Sequence, residues 1–437
     1  MKNRTKIDIS RLLKEQVLVL DGAMGTAIQD AGLSPSDFGG LQYEGCNEYL
    51  NITRPDLIMD IHRAYLEAGV DIIETNSFGS TPLVLAEYGL EDLAFEINQA
   101  SARIAREAVD ELSTREHPRF VAGSIGPTTK SLALTRGISW DELMNHYYIQ
   151  VSGLVDGGVD LLLVETSQDI LNVKAALVAI DRLSEERSID IPVAVQCTIE
   201  IMGTTLGGQD IEAFYNSLSH RDLLWIGMNC ATGPEFMRGY LRALSQISKF
   251  PVSVVPNAGL PDEDGQYNET PDIFSATVNS YIRERWANVV GGCCGTTIEH
   301  VGKLVEGAKG ISPREVVSNR TTVVSGLESL IVDENTRPVL IGERTNVLGS
   351  RKFKKWVSEA MWEEAAELGR RQVRGGASLL DVCLQDPDRD EMADVDAFLE
   401  FLTRKVKVGI VIDSTDPNVI ANALKRTPGK SIINSIN

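Results

Sequence analysis

The sequence predicts an α/β protein: a closed (β/α)8 barrel of the TIM type, followed by the first four βα units of a second, incomplete barrel of the same type. Three observations predict it. Short apolar runs recur at nearly regular intervals, each followed by a turn rich in Gly, Asn, Thr and Pro and then by an amphipathic stretch of helical period. The runs are predominantly apolar rather than alternating, as parallel strands buried on both faces require. Residues able to carry chemistry stand just past the C-terminal ends of these runs, where the active sites of parallel barrels lie.

The first series contains eight runs, at 17–21, 70–75, 120–124, 161–165, 193–197, 224–228, 252–255 and 288–290. Past residue 310 the pattern lapses. Residues 311–336 carry Ser, Asn, Arg and Thr without helical or strand period and read as a linker held down by Val323, Val324 and Leu330. A second series then begins. The run 339–342 leads into Glu343-Arg344-Thr345-Asn346, a helix is expected near 359–374, and Leu379-Leu380-Asp381 ends the next strand. The run 408–412 closes on Asp413-Ser414-Thr415, and 431–433 ends at Asn434. The expected domains are therefore 1–310 and 337–437, joined by 311–336.

Composition narrows the function. A formal net charge of -20 disfavours nucleic acid and anionic membrane surfaces, which bind through basic patches. No apolar run approaches the roughly 20 residues needed to span a bilayer, and the N-terminus shows no secretory signal. With six cysteines in 437 residues, a reduced, cytoplasmic setting is expected, in which clustered thiols point to metal binding or catalysis.

Two of those thiols are adjacent, in Gly291-Gly292-Cys293-Cys294-Gly295, just past an apolar strand. Successive side chains on a strand diverge, so neighbouring cysteines can share an ion only on a bent loop, and flanking glycines permit the bend. Cys230 stands in a matching position after 224–228. Three thiolates would make a zinc centre with one position open for a substrate, as catalytic zinc sites have. Taken alone, the vicinal pair reads equally well as two buried small hydrophobes. Other strand ends are similarly two-sided. Asp21-Gly22-Ala23-Met24-Gly25-Thr26 is either a tight turn or a set of helix-start amides suited to a carboxylate. Glu165 either binds a ligand or caps a helix. Asn257 offers an amide oxygen to a metal or ligand, or simply makes a turn.

Seven motifs in order, each at a predicted strand end, carry a resemblance. They are Asp21-Gly22-Ala23-Met24-Gly25-Thr26, Glu74-Thr75-Asn76-Ser77-Phe78-Gly79, Ile125-Gly126-Pro127-Thr128, Glu165-Thr166, Asn229-Cys230, Pro256-Asn257-Ala258-Gly259 and Gly291-Gly292-Cys293-Cys294-Gly295. Up to about residue 310 the chain resembles the homocysteine-binding barrel of cobalamin-dependent methionine synthases, which share their fold with betaine–homocysteine methyltransferases. The resemblance implies that Cys230, Cys293 and Cys294 bind zinc, with Asn257 in the fourth position when substrate is absent. It implies that Asp21 and Glu165 hold the amino group of homocysteine and that amides near Gly22 and Ala23 receive its carboxylate.

Residues 337–437 resemble the first half of the pterin-binding barrel of the same enzymes, related in fold to dihydropteroate synthases. That resemblance implies pterin contacts from Glu343, Asn346, Asp381, Asp413 and Asn434. Two positions depart from the pattern: Cys383 replaces the usual Asn two places after Asp381, and Leu348 replaces a small polar residue. Without the resemblance, Asp and Asn at strand ends would read as helix caps.

The implied activity is zinc-dependent methyl transfer to the thiol of homocysteine, giving methionine. Methylcobalamin is the direct donor and methyltetrahydrofolate the upstream one. No Asp-x-His-x-x-Gly corrinoid motif occurs, so cobalamin is expected on a module or partner protein absent from this stretch. The second series stops after four strands, which reads as a fragment or as half of a pairing with an unseen partner. Two alternatives accompany this expectation: a corrinoid-free homocysteine methyltransferase using betaine or S-methylmethionine, and a non-catalytic thiol- or zinc-binding protein.

Overall fold

The computed structural model describes residues 8–318 and 321–435, so residues 319–320 of the expected linker and 436–437 of the expected second series lie outside them. The first series forms β1 (Leu18–Val19), β2 (Ile72–Glu74), β3 (Phe120–Ile125), β4 (Leu161–Ser167), β5 (Val193–Cys197), β6 (Trp225–Asn229), β7 (Val252–Val255) and β8 (Val289–Val290). From β2 to β8 each strand pairs in parallel with the next in sequence, and β1 pairs with β8, with Leu18 opposite Val289. The β1–β2 seam is narrower. A single bridge joins Leu20 to Ile72, flanked by Asp21 N–H donating to Ile72 O (3.0 Å) and Asp71 N–H to Val19 O (2.8 Å). Eight strands thus make an all but closed barrel.

Its interior is filled by side chains that alternate along the strands, among them Leu18, Leu20, Phe120, Ala122, Leu161, Leu163, Ala194, Trp225 and Val289. The helix Ile9–Glu15 starts at an Asp8 cap whose side chain accepts from Ser10 N–H. Ile9, Leu12 and Leu13, at helical spacing, enter the same cluster from just ahead of β1 and close the N-terminal end. The opposite end, where the loops carry the motifs, is left for chemistry.

The second compact unit comprises residues 169–171, 206–221 and 319 onward. Its parallel sheet has the order β11 (Ile341–Gly342), β12 (Leu379–Val382), β13 (Gly409–Asp413), β14 (Ile432–Asn434). Two features differ from expectation. The stretch read as an aperiodic linker contains an antiparallel hairpin, β9 (Thr322–Ser325) with β10 (Ser329–Val332). Its residues do not alternate cleanly between buried and exposed, so no strand period marks it. Val324 packs with Leu379 and Val411, while Ser325 N–H donates to Lys430 O and Leu327 N–H to Lys407 O. The hairpin thereby covers the starts of the second sheet's strands. The helix expected near 359–374 is present as Trp362–Arg374, and a helix that was not expected, Arg351–Ser358, precedes it. Between them Ala360 takes φ +53, and Met361 N–H reaches back to Trp356 O (2.8 Å), a left-handed cap made without the glycine that would have marked it.

Among the described residues, no helix is long and apolar enough to cross a membrane. All six cysteines are free thiols.

Candidate active site

The loops after β6, β7 and β8 are bonded to one another through the cysteine backbones. Cys230 N–H donates to Val255 O (3.1 Å), Cys293 N–H to Pro256 O (2.8 Å), and Ala258 N–H to Cys294 O (2.9 Å). Cys230 and Ala231 both hold left-handed backbone, φ +63 and +58, a costly conformation for residues with a Cβ that persists where surrounding bonds fix it. Close packing explains two of the glycines: a Cβ on Gly291 would lie 2.7 Å from Leu20 Cβ, and one on Gly292 2.4 Å from Thr296 Oγ1.

This scaffold brings the sulfurs of Cys230, Cys293 and Cys294 within 4.8 Å of one another, with Cys230 and Cys294 at 3.8 Å. Zinc–sulfur bonds of about 2.3 Å in a tetrahedron put the sulfurs about 3.8 Å apart, so the cluster fits one such ion. The electrostatics agree. Hydrogen bonds from Cys230 and Cys293 hold the Cys294 thiol down to about 3. Cys293 is pushed well up by its bonds to Cys230 and Cys294, and by burial. Cys230, favoured as thiolate by Cys293 but opposed by Cys294 and burial, ends near 12. Crowded together, the three thiols oppose one another's ionisation; a divalent cation would let all three ionise. Asn257 lies between Pro256 and Ala258 in this scaffold, buried, and its side-chain oxygen has no hydrogen-bond partner. An orphaned oxygen of this kind suits a metal or a ligand.

Three carboxylates gather at the same end of the barrel. β4 runs two residues past its expected end, through an irregularity between Val164 and Ser167 and a left-handed Thr166 at φ +52. The kink re-aims Glu165. Ser124 Oγ donates to Glu165 Oε1 (2.6 Å), and Asn229 Nδ2 donates to Glu165 Oε2 (3.1 Å) and Thr166 Oγ1 (2.8 Å). Asn229 Oδ1 in turn accepts from Thr166 N–H (2.8 Å), so one buried amide fixes both the strained backbone and the acid. Asp21 Oδ2 accepts from Glu74 N–H (3.0 Å). Burial pushes the carboxyl of Asp21 well up, and the Glu165 charge adds to it. Glu74 is raised by burial and by the charges of Glu165 and Asp21. Glu165 is raised by burial, against its hydrogen bonds with Ser124 and Glu74, with the Cys294 charge adding to the rise. Acids and thiols crowded together in this way lack cations, and the chemistry they invite is a divalent metal beside an ammonium group.

Glu74 and Asn229 were not among the expected site residues. Glu74 stands near the end of the run 70–75, much as Asp21 and Glu165 end theirs, a signal present in the sequence. Asn229 also stands at a predicted strand end, but its part in holding Thr166 and Glu165 depends on the bulge in β4. The loop at Gly22 and Ala23 is tied to the cysteines: Ala23 N–H lies 3.3 Å from Thr296 Oγ1, which donates to Cys293 O (2.7 Å). A Cβ on Gly22 would lie 2.8 Å from the Tyr65 hydroxyl. The following helix, Met24–Asp30, begins without a side-chain cap, leaving first-turn amides for an anion.

In the second unit, Asn346 Nδ2 donates to Asp381 Oδ2 (3.0 Å). Burial raises the Asp381 carboxyl, against its hydrogen bond from Asn346, with the charges of Asp413 and Glu343 adding to the rise. Asp413 Oδ1 accepts from Ser435 Oγ (2.5 Å), and Asn434, which ends β14, accepts at Oδ1 from Ser435 N–H (2.9 Å). Cys383 is buried, bridges in parallel to Asn346, and its thiol is pushed up to about 11 by burial. Leu348 is largely exposed.

Residues 18–307 match the model of the homocysteine S-methyltransferase family, and residues 342–437 that of the pterin binding enzyme family. Among solved structures, the chain is similar to the metallated form of the homocysteine methyltransferase MmuM from Escherichia coli. Identity is 23% and the TM-score 0.55, over 68% of this chain and 98% of that one. The oxidized form of the same enzyme matches at 22% identity and a TM-score of 0.54, over 68% and 97%. These likenesses show a shared fold.

Proposed function

The chain belongs to the homocysteine S-methyltransferase family, and from that premise we propose that it methylates the sulfur of homocysteine at a zinc ion held by Cys230, Cys293 and Cys294. The observation that carries this reading is the meeting of three cysteine sulfurs, mutually within 4.8 Å, with the Asp21, Glu74 and Glu165 carboxylates at one barrel mouth.

A free thiol has a pKa near 8.5 and is only a few per cent thiolate at neutral pH; zinc supplies the Lewis acidity that keeps it ionised. The remaining work falls to the chain. Asp21, Glu74 and Glu165 accept the three N–H bonds of the substrate ammonium, and Ser124 and Asn229 hold Glu165 in line for it. Uncapped amides at the start of the helix Met24–Asp30 receive the substrate carboxylate, next to Gly22 and Ala23. Asn257, whose side-chain oxygen has no partner, would fill the fourth zinc position when no substrate is bound. Held at both ends, the homocysteine sulfur uses a lone pair to form the new bond to the methyl carbon, and the donor leaves with the electron pair.

The methyl group is proposed to come from methylcobalamin on a corrinoid-binding module or protein, recharged by methyltetrahydrofolate bound by Glu343, Asn346, Asp381, Asp413 and Asn434. The pterin-family match over residues 342–437 supports a folate-linked donor over betaine or S-methylmethionine. Free thiols in all six positions support a cytoplasmic setting. Metal analysis tests the site: the purified chain should carry about one zinc, lost in Cys293→Ser or Cys294→Ser. A wild type that binds homocysteine without metal would overturn the proposal.

A further inference from the structure

We propose that Tyr267 is a positioning residue that caps the cysteine cluster from a small flap and occupies the sulfur of Cys294, so that this sulfur does not compete with the substrate sulfur for the methyl donor. The inference rests on the assignment of the three cysteines to zinc.

The flap is the loop after β7. Pro261 and Tyr267 pair across it as an antiparallel bridge, with Asp262 N–H donating to Gln266 O (2.9 Å) and Gly265 N–H to Asp262 O (3.0 Å). The Asp262 carboxylate staples the turn, accepting from Asp264 N–H (3.0 Å), Gln266 N–H (2.8 Å) and Asn268 Nδ2 (2.7 Å). The base is anchored too: Glu269 N–H donates to Ala258 O (3.2 Å), and His300 Nε2 bonds to Glu269 O (2.9 Å). This is a built structure on which most residues from 260 to 268 are exposed, while Tyr267 is half-buried.

Its side chain turns inward onto the residue that follows Cys294. Gly295 has φ +77, and a Cβ there would lie 2.2 Å from both Cβ and Cγ of Tyr267, so the ring rests on bare backbone beside the sulfur. From there the phenol reaches the Cys294 sulfur. The three sulfurs differ in their cover. Cys293 packs against the barrel core, whereas Cys294 faces the flap. In a centre that bears several thiolates, the protein's own sulfurs compete with the substrate for an electrophile. A phenol O–H directed at Cys294 engages a lone pair that would otherwise attack, and its ring screens that side.

The test is site-resolved alkylation of the zinc-loaded full chain by iodoacetamide, in which a sulfur–carbon bond forms and iodide leaves, read by peptide mass spectrometry. In Tyr267→Phe, Cys294 should alkylate about tenfold faster than in wild type, the effect of one hydrogen bond to a charged acceptor. Cys230 and Cys293 should keep their rates. Equal rates at Cys294, or equal acceleration at all three sulfurs, would overturn the inference and leave the zinc assignment standing. If wild type itself holds no zinc, the assignment and the inference fall together. Should Tyr267→Phe lose its metal, Asp262→Ala decides: it loosens the flap without touching the cluster, and an unchanged Cys294 rate overturns the proposal.

Discussion

Glu165→Gln should separate affinity from stability. The wild-type carboxylate is held by Ser124 and Asn229 and lies close enough to Glu74, Asp21 and Cys294 for their charges to act on one another. Gln fits the same space. Its carbonyl can accept from Asn229 while its amide donates to Ser124, whose hydroxyl rotates to accept. One like charge leaves a crowded site, so the melting temperature at neutral pH should hold or rise. Homocysteine, however, loses a charge-assisted hydrogen bond to its ammonium, worth about 2 kcal/mol. At about 1.4 kcal/mol per decade that is about a thirtyfold weaker dissociation constant. Calorimetric titration of the zinc-loaded chain reads the effect, with 4-mercaptobutanoate, homocysteine without its amino group, as control. The control should change by less than about threefold, since it never made the bond. Equal weakening of both thiols, or none of homocysteine, would remove Glu165 from its role.

The raised carboxyls of Asp21, Glu74 and Glu165 also set a pH dependence. Acids whose folded pKa lies above the unfolded value near 4 stabilise the unliganded fold below that value, and the contribution is lost as pH climbs through the raised values. An ammonium ligand offsets that loss. The thermal shift given by methionine, whose sulfur does not titrate, should therefore grow from about pH 5 to about pH 8; a shift flat with pH would count against the carboxylate cluster as the ammonium site. In the second unit, Asp381→Asn should weaken methyltetrahydrofolate about tenfold or more in a fluorescence titration, because the ring loses an ionised acceptor. The fold should not suffer, since burial already opposes that charge. Unchanged affinity would exclude Asp381 from the pterin contact.

The barrel was legible because its signals are local. Runs such as 161–165 and 193–197 are apolar but for one residue each, Glu165 and Gln196, and vicinal thiols between glycines announce themselves at Cys293 and Cys294. What escaped depends on backbone states that the residue types do not advertise. Thr166 and Ala360 adopt left-handed φ where glycine would have been the cue, so neither the extension of β4 nor the break between two helices could be read. The hairpin β9–β10 carries no clean alternation, and its packing against Leu379 and Val411 is tertiary information. Glu74 was visible as a strand-end acid, but its convergence with Asp21 and Glu165 follows from barrel closure across the β1–β2 seam, not from spacing along the chain.

The proposed activation of the substrate thiol is read most directly by counting protons. Homocysteine is titrated into the zinc-loaded chain at pH 7 in two buffers of different ionisation enthalpy, with homoserine, which has a hydroxyl in place of the thiol, as the reference. Because a thiol of pKa about 8.5 enters almost wholly protonated, homocysteine should release about one proton more than homoserine. The excess should vanish when Cys293→Ser removes the metal. Zinc bound at full occupancy with no excess proton release would contradict thiol activation and make the centre a zinc-binding site without that chemistry.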